Sequence, residues 1–294
     1  MGTALITGAT AGIGREFAWQ LAEAHHDLIL VARDTLRLEG LAEELRQIAG
    51  VGVEVLPADL STAEGRERVA QRLRPPGEPW ADGSAAHPSD SAARTSGRHP
   101  ARPVDLLVNN AGFGLGQDFV GGDIEQERRA LAVMVTAVME LTHAAVPGMV
   151  ARGRGAILNV SSMTALTAMG TYAAHKAWVR TFTEGLAGEL AGTGVSATVL
   201  CPGLTRTEFH ERADMATADW SGVVWLEADD VARAALTAVR RGQVICTPSL
   251  RYMSVNALLR VAPRWLVRRV TSPRASHRRS EEHTSELQSP SWIS

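Results

Sequence analysis

The sequence predicts a single α/β domain, in which one doubly wound parallel sheet of about seven strands carries helices on both faces. Three observations lead to this fold class. Short apolar runs alternate with amphipathic stretches along most of the 294 residues. The apolar runs are nearly continuous, as in strands that are buried on both faces of a sheet. The first of these runs ends in a glycine-rich turn that opens a helix.

The strands are predicted where these apolar runs occur, and the seventh is the weakest. They lie at residues 3–7, 27–32, 52–58, 104–109, 156–160, 195–201 and 243–248. Between them, apolar residues recur at helical spacing. The predicted helices are 12–24, 36–49, 62–73, 124–150, 172–191 and 229–241. Because a helix that follows each strand returns the chain to the same end of the sheet, the strands are expected to run parallel.

Two segments break this pattern. Residues 75–102 are rich in Pro, Gly, Ser and Ala with almost no apolar periodicity, and we predict a disordered surface insertion rather than a functional lid. Residues 279–289, with the sequence RSEEHTSELQS, match the translation of a common sequencing-library adapter. We therefore predict that 279–294 is a non-native tail and that one domain spans residues 1–272.

Composition and charge narrow the class of protein. The formal net charge is −2 and 21% of the residues are charged, so neither nucleic acid nor a strongly acidic partner is expected. Cys201 and Cys246 lack metal-ligand spacing with the histidines, so no metal site is predicted. The first residues show no basic segment of a signal peptide, and no apolar run is expected to cross a bilayer, so a cytoplasmic protein is predicted.

The turn after the first strand has the sequence TGATAGIG over residues 7–14. Glycine lets the backbone turn tightly and approach a pyrophosphate at the positive N-terminal end of a helix. The strand before the turn and the helix after it supply the context that such a loop requires. We therefore predict a dinucleotide-binding loop formed by Gly8, Thr10, Gly12, Ile13 and Gly14.

The end of the second strand indicates which dinucleotide binds. A carboxylate at this tip would accept a hydrogen bond from the ribose 2′-hydroxyl of NAD, but the tip residue is Ala32, followed by Arg33. A guanidinium can bind a 2′-phosphate through two hydrogen bonds, so NADP(H) is the predicted cofactor. Asp34 is the residue that argues for NAD, and a solvated Arg33 is the alternative interpretation.

Two more strand ends are candidates for the adenosine side of the cofactor. Asp59 and Leu60 follow the third strand, and Asp59 is placed to meet the adenine edge. The sequence NNAG ends the fourth strand, where Asn110 could line the adenosine, although a simple Asx turn is the alternative. Both candidates lie where the carboxyl ends of parallel strands bind ligands in open sheets.

Tyr172 and Lys176 are the main candidates for chemistry. Lys176 is the one lysine among 30 Lys and Arg residues, and Tyr172 is one of 2 tyrosines. Four residues apart on a predicted helix, they share one face, and a chance pairing is the alternative. A nearby ammonium is expected to lower the pKa of the tyrosine, which would make Tyr172 a better proton donor to a carbonyl. Lys176 could also bond ribose hydroxyls, so both residues are candidate cofactor ligands.

Together these motifs resemble those of the classical short-chain dehydrogenase/reductase family. The resemblance rests on TGATAGIG, NNAG, the serines of NVSS, YAAHK and CPGLTRT, and it extends over roughly residues 2–250. It implies a Rossmann fold and a role for Ser162 in binding the substrate carbonyl oxygen, while Ser161 is a neighbour that can be mistaken for it. It also implies that the backbone of Thr205 and the hydroxyl of Thr207 hold the nicotinamide carboxamide.

Two features depart from the family pattern. The position that usually carries an asparagine in the fourth helix is Met134, which cannot take part in a water relay to the lysine. The spacing from Ser162 to Tyr172 is shorter than the family's usual spacing, so the loop is either tighter or displaces the serine. We expect these departures to slow turnover rather than abolish it.

The predicted function is that of an NADP(H)-dependent oxidoreductase that transfers hydride between nicotinamide and a ketone or alcohol substrate, and steroid-like, fatty-chain and small ketones all fit. Ser162, Tyr172 and Lys176 are the predicted catalytic residues. A catalytically impaired NADP-binding sensor or scaffold is the alternative. The resemblance also implies a homodimer or homotetramer, formed through the fourth and fifth helices.

The stretch 251–270 mixes apolar residues with arginines and leaves two interpretations open. We favour a helix that covers the substrate cleft and is broken at Pro263. The alternative is an amphipathic helix that lies on a membrane surface.

Overall fold

The computed structural model describes residues 2–75, 102–207 and 225–271. Seven parallel strands form one sheet in the order β3-β2-β1-β4-β5-β6-β7. They are β1 (Thr3–Thr7), β2 (Asp27–Ala32), β3 (Val53–Pro57), β4 (Leu106–Asn109), β5 (Gly155–Val160), β6 (Val195–Leu200) and β7 (Ile245–Cys246). The strand order reverses between β1 and β4, and open α/β sheets bind ligands beyond the carboxyl ends of such a pair. The predicted fold class is confirmed.

Helices connect the strands on both faces of the sheet. They are α1 (Gly12–Glu23), α2 (Thr35–Ala49), α3 (Ala63–Leu73), α4 (Ile124–Leu131), α5 (Ala137–Ala151), α6 (Gly170–Glu189), α7 (Ala228–Arg240), α8 (Leu250–Val261) and α9 (Arg264–Thr271). A π-helical turn, Ala132–Thr136, joins α4 to α5, so the helix predicted at 124–150 is one element with a widened centre. Pro263 separates α8 from α9, as its missing N–H predicts.

The sheet separates two hydrophobic cores. Ile6 of β1 packs with Phe17 of α1 and Leu38 of α2 on one face. Leu5, the neighbour of Ile6 in β1, packs on the opposite face with Leu141 of α5. Because successive strand residues point to opposite faces, a strand between two cores needs apolar residues at every position. This arrangement explains the unbroken apolar runs in the sequence.

The longest helical element was not expected to be able to cross a membrane. The stretch Ile124–Ala151 is, however, long and apolar enough to do so by length and composition. Met134, Leu141 and Met149 along it are fully buried in the folded chain. Burial against the sheet is the pattern of a core helix, so its apolar character has a structural explanation here.

The two oddities of the sequence fall largely outside the described residues. Of the predicted insertion, Pro75 and Arg102 are described, and Arg102 forms an ion pair with Asp27 at 2.8 Å. The predicted non-native tail at 279–294 lies wholly outside the described part of the chain. Both interpretations therefore stay predictions.

Leu107 lies at the centre of the sheet and tests how the core contributes to stability. Its side chain is 0% exposed, so Leu107→Ala should lower the free energy of unfolding by about 2–5 kcal/mol through lost burial and a residual cavity. Leu36→Ala is the matched control, because Leu36 is 85% exposed and its loss should change stability by no more than about 0.5 kcal/mol. Urea denaturation measures both values, and equal losses would contradict the assignment of Leu107 to the core.

Candidate active site

The glycine-rich loop between β1 and α1 has no room for side chains at its three glycines. Gly8 and Gly12 have φ angles of 67° and 50°, in the left-handed region that favours glycine. A larger residue at Gly14 would clash, because an added Cβ would lie 2.2 Å from the carbonyl oxygen of Gly8. Thr10 is partly buried in the same turn, and Ile13 packs on the core below it. The backbone at these glycines is therefore free of side chains that would keep a ligand away.

The N-terminus of α1 is suited to an anion. Its N-cap residue, Ala11, makes no side-chain capping bond to the first N–H groups of the helix. The neighbouring helices α2 and α3 are capped by the side chains of Asp34 and Thr62. Since the first N–H groups of a helix lack intrahelical partners, the first turn of α1 has donors available for a phosphate.

Asn110 fixes this loop from the neighbouring strand. Its side-chain nitrogen donates to the carbonyl oxygens of Thr7 and Gly8 at 3.0 and 3.2 Å. The backbone N–H groups of Asn110 and Ala111 donate to the hydroxyl of Thr7 at 2.9 and 3.0 Å. Asn110 was predicted to line the adenosine. In the structure its side-chain amide nitrogen holds the glycine loop in position.

The end of β2 separates the two residues that bear on cofactor choice. The carboxylate of Asp34 accepts a hydrogen bond from the backbone N–H of Arg37 at 3.0 Å and so caps α2. Arg33 is exposed at the strand end. Asp34, which would have favoured NAD, therefore caps a helix. The guanidinium of Arg33 is accessible to a ligand.

Asp59 and Leu60 follow β3 in a tight turn. The carboxylate of Asp59 accepts from the backbone N–H and the hydroxyl of Ser61 at 2.9 and 2.8 Å. The side chain of Leu60 is buried in the core that contains α3 and α5. Leu60 was a predicted cofactor ligand, and its side chain is directed into the core rather than towards the site.

The segment 201–207 lies against the glycine loop. A Cβ added at Gly12 would lie 2.9 Å from the Cγ2 atom of Thr207. Thr205 is buried and forms a β-bridge with Leu226, and its hydroxyl donates to the carbonyl oxygen of Gly203 at 3.1 Å. The two predicted carboxamide ligands are therefore brought to the same edge of the sheet as the loop.

Ser162 and Tyr172 come together although few residues separate them. Their side chains share a hydrogen bond. The connection is shortened by a 3₁₀ turn, Met163–Leu166, and the hydroxyl of Ser162 caps this turn by accepting from the N–H of Thr164 at 3.1 Å. The short spacing left two outcomes open, a tighter loop or a displaced serine. The structure shows the tighter loop, with Ser162 within reach of Tyr172.

The adjacent serine has a different task. The buried hydroxyl of Ser161 donates to the backbone carbonyl oxygen of Lys176 at 2.6 Å. This bond ties the end of β5 to the middle of α6. Ser161 is thereby occupied in structure, which distinguishes it from Ser162.

Lys176 is buried at the end of β5. Its side chain is 4% exposed, and Nζ donates to the carbonyl oxygen of Val160 at 2.9 Å. Burial disfavours the charged form and lowers the pKa of Lys176 to about 8. Nζ lies 5.7 Å from the centre of the Tyr172 ring. The ammonium and the phenol therefore face one another at one end of the sheet.

The expected effect of Lys176 on the tyrosine is wrong for this structure. Burial raises the pKa of Tyr172 to about 12, and the hydrogen bond with Ser162 acts in the opposite direction without overcoming it. The spacing of two residues on a helix predicts proximity but not how far the pair is removed from water. At neutral pH the hydroxyl of Tyr172 consequently carries its proton.

Met134 and Lys176 both lie close to Gly112. A Cβ added at Gly112 would lie 3.4 Å from Nζ of Lys176 and 3.5 Å from Cγ of Met134. Met134 is fully buried within the π-helical turn. A thioether donates no hydrogen bond, so Met134 offers no donor at this position.

A buried amide ladder beneath the site was missed by the sequence analysis. Asn109 donates to the side-chain oxygen of Asn159 at 2.9 Å and to the hydroxyl of Thr142 at 3.2 Å. Asn159 in turn donates to the hydroxyl of Thr183 at 2.9 Å. The ladder joins β4 and β5 to α5 and α6. Its signal was present, because two predicted neighbouring strands each carry an asparagine near the end.

The C-terminal helices lie at the edge of the site. Arg264 of α9 donates to the carbonyl oxygen of Leu166 at 3.1 Å, and the N–H of Ala168 donates to the hydroxyl of Thr271 at 3.1 Å. From α8, the hydroxyl of Tyr252 accepts from the N–H of Leu204 at 3.2 Å. These contacts place both helices against the loops that flank Ser162 and Thr205, and both interpretations of residues 251–270 stay predictions.

Comparison with known proteins identifies a family and several relatives. The family model described as short chain dehydrogenase matches residues 2–75 and 89–217, more than half of the chain. Sulfoacetaldehyde reductase 2 of Chromohalobacter salexigens is 34% identical over 238 residues, covering 78% of this chain and 84% of that protein. Serine 3-dehydrogenase of Agrobacterium fabrum is 28% identical over 264 residues, covering 87% of this chain and 94% of that protein.

A solved structure agrees with these sequence relatives. It is a short-chain dehydrogenase from Sphingobium yanoikuyae in complex with NADPH, and it is 32% identical to this chain. The alignment covers 88% of this chain and 94% of that one, with a TM-score of 0.74.

The buried ammonium of Lys176 predicts a pH-dependent stability cost. The folded-state pKa of about 8 lies below the unfolded value of 10.5. Below pH 8 both states are protonated and the folded state bears the full cost, about 3 kcal/mol. Between pH 8 and 10.5 the folded state loses its proton first, so the cost declines, and above this range it is gone.

Lys176→Met removes this charge and should therefore unfold at a higher temperature than the wild type at pH 7. The difference should shrink as the pH rises from 8 to 10. Thermal unfolding at a series of pH values measures it, and Arg46→Met on exposed α2 is the control. A difference that does not vary with pH would contradict the burial of a charged lysine.

Proposed function

The chain belongs to the short chain dehydrogenase family, and from this premise we propose that it is an NADP(H)-dependent oxidoreductase that reduces a ketone to an alcohol or oxidises the alcohol. One observation carries the proposal. Ser162, Tyr172 and Lys176 converge at the carboxyl edge of one sheet, with the serine and the tyrosine hydrogen-bonded to each other. A carbonyl oxygen placed at this pair would meet two hydroxyl groups at once.

The residues around the glycine loop fit a nicotinamide dinucleotide. The loop excludes every side chain larger than hydrogen at Gly14, and the first N–H groups of α1 have no side-chain cap, as a pyrophosphate requires. Arg33 would bind the 2′-phosphate, and Thr205 and Thr207 would hold the carboxamide. The relative from Sphingobium yanoikuyae, in complex with NADPH, supports this assignment. When bound, the cofactor supplies or accepts the hydride.

Tyr172 is the proposed proton donor. Its hydroxyl keeps its proton at neutral pH because burial raises its pKa to about 12, so it can donate to the oxygen of a carbonyl as negative charge develops there. Ser162 would donate a second hydrogen bond to the same oxygen and stabilise that charge. Because a phenol with a raised pKa is a weak acid, the proton is expected to transfer only as negative charge develops on the carbonyl oxygen.

Lys176 would bind ribose hydroxyls and set the electrostatics around the phenol. Its ammonium is held by the carbonyl oxygen of Val160, which fixes where the positive charge lies. Met134 lies close to Gly112, as Nζ does, and cannot relay a proton, so return of a proton through this position is expected to be slow. If that path is essential, the protein is the catalytically impaired NADP-binding sensor or scaffold that the sequence left as the alternative.

A homo-oligomer is the proposed assembly, formed through α4–α5 and α6. On α6, a Cβ added at Gly185 or Gly188 would meet nothing within 4 Å, so close approach of a second helix is possible there. The rings of Trp178 and Phe182 stack at 4.8 Å on the same helix and offer an apolar contact.

Tyr172→Phe tests the catalytic assignment. The variant should lower kcat for NADPH-dependent reduction of a panel of soluble ketones and aldehydes by roughly 10²-fold or more, since the proton donor is removed. It should still bind NADPH, because its ring remains. Tyr252→Phe alters the other tyrosine and should keep most of the turnover. Steady-state kinetics and NADPH titration measure these effects.

Two results would decide against the catalytic assignment. Unchanged turnover in Tyr172→Phe would show that another group delivers the proton. A wild type that binds NADPH tightly but reduces no carbonyl on the panel would favour the sensor or scaffold.

Arg33→Ala tests the cofactor assignment. Loss of a charge-assisted hydrogen-bonding group should weaken NADPH binding roughly 10-fold or more, while NADH binding stays nearly constant. Arg46→Ala, at the other end of α2, is the control and should leave both affinities unchanged. The ligand-induced rise in Tm reports each affinity. Tighter binding of NADH than NADPH by the wild type would contradict the role of Arg33.

A further inference from the structure

The two C-terminal helices expose an unusual number of large apolar side chains. We call the outward face of α8 and α9 the C-terminal surface. Its exposed apolar residues are Leu250, Met253, Val255, Leu258, Val261, Trp265, Leu266 and Val270. Within α8 one residue, Asn256, is buried, and within α9 one residue, Val267. Both helices therefore touch the domain along a narrow line and leave the rest of their surface uncovered in the single chain.

The exposed apolar residues of α8 form a continuous stripe. Leu250, Met253, Leu258 and Val261 recur at the spacing of one helical face. Leu258 is 66% exposed and Val261 79% exposed. Beyond Pro263, Trp265 is 61% exposed at the beginning of α9. The stripe and the tryptophan make an exposed patch that calls for a partner.

The same surface is strongly basic. Its arginines are Arg251, Arg260, Arg264, Arg268 and Arg269, and the sequence contains no Asp or Glu from residue 231 to residue 271. Among the described residues no carboxylate forms an ion pair with Arg260, Arg268 or Arg269. The whole chain has a net charge of −2, so this is a local concentration of positive charge.

We propose that the C-terminal surface docks on an anionic lipid bilayer. Exposed leucine, valine and tryptophan bury at the level of the lipid headgroups, and arginines beside them attract anionic lipid. A second copy of this surface is a poorer partner, because a two-fold contact would bring ten arginines together without one acidic residue from the same helices. Charge complementarity therefore selects a negatively charged membrane.

Docking through the C-terminal surface would place the candidate active site next to the bilayer. Arg264 and Thr271 of α9 bond the loop between Ser162 and Tyr172, and Tyr252 of α8 bonds the N–H of Leu204. If the proposed function holds, the substrate entrance then faces the lipid. A carbonyl compound or alcohol that partitions into membranes is the substrate class that fits this arrangement.

The test is co-sedimentation of the full-length protein with vesicles. Vesicles of phosphatidylcholine with about one third phosphatidylserine should carry the protein into the pellet at low salt, whereas pure phosphatidylcholine should bind much less. Raising the salt should release part of the bound protein, because screening weakens the charge attraction.

Matched variants identify the surface. Replacing Arg268 and Arg269 by serine should weaken binding to anionic vesicles roughly tenfold or more, and so should Leu258→Ser with Trp265→Ser. Two control variants should leave binding unchanged. One replaces Arg128 and Arg129 of α4 by serine, and the other replaces the exposed Leu36 and Ile48 of α2 by serine. NADPH-dependent reduction of a water-soluble ketone by the same variants should stay at the wild-type rate, so failure of docking and failure of the proposed function are separable.

Three results would overturn the proposal. The protein could remain in the supernatant with anionic vesicles at low salt. It could bind neutral and anionic vesicles equally, which would exclude the arginines as the cause. Finally, sedimentation velocity without lipid could show a dimer that the Leu258 and Trp265 changes dissociate, which would make this surface a contact between copies of the chain.

Discussion

The attachment of Lys176 to the end of β5 is the constraint on which the chemical end of the site depends. The residue is held twice: Nζ donates to the carbonyl oxygen of Val160, and the backbone carbonyl of Lys176 accepts from Ser161. These two bonds fix the rotation and height of α6 against the sheet. Because Tyr172 lies one turn before Lys176 on that helix, its hydroxyl is brought to Ser162, the next residue along from Ser161.

This attachment requires polar groups to be buried, and the surrounding hydrogen bonds reduce the cost. Beneath the lysine, Asn109 and Asn159 bond each other across β4 and β5 and reach hydroxyls on both flanking helices. A buried amide without partners would destabilise the fold, whereas one that is fully bonded holds the elements in one arrangement. The ladder thus holds the same two helices that carry Met134 and Lys176.

The sheet was predictable from the sequence because burial on both faces leaves a direct trace in the amino acids. β1 and β2 have the predicted limits, since their apolar runs are unbroken. β7 contains two residues although six were predicted, because an edge strand pairs on one side and its length is set by that contact. At the site, the sequence revealed which residues belong together. It could not reveal that burial raises the pKa of Tyr172, or that Asp34 would cap a helix.

Met134 shows how one side chain links the widened helix to the electrostatics of the site. Met134 lies within the π-helical turn Ala132–Thr136, and its side chain is close to Gly112, which Nζ of Lys176 also approaches. Burial lowers the pKa of Lys176 to about 8. The buried thioether of Met134 supplies no hydrogen-bond donor in this region. Because Lys176 has a pKa of about 8, its charge changes between neutral and mildly alkaline pH, and with it the charge near the ring of Tyr172.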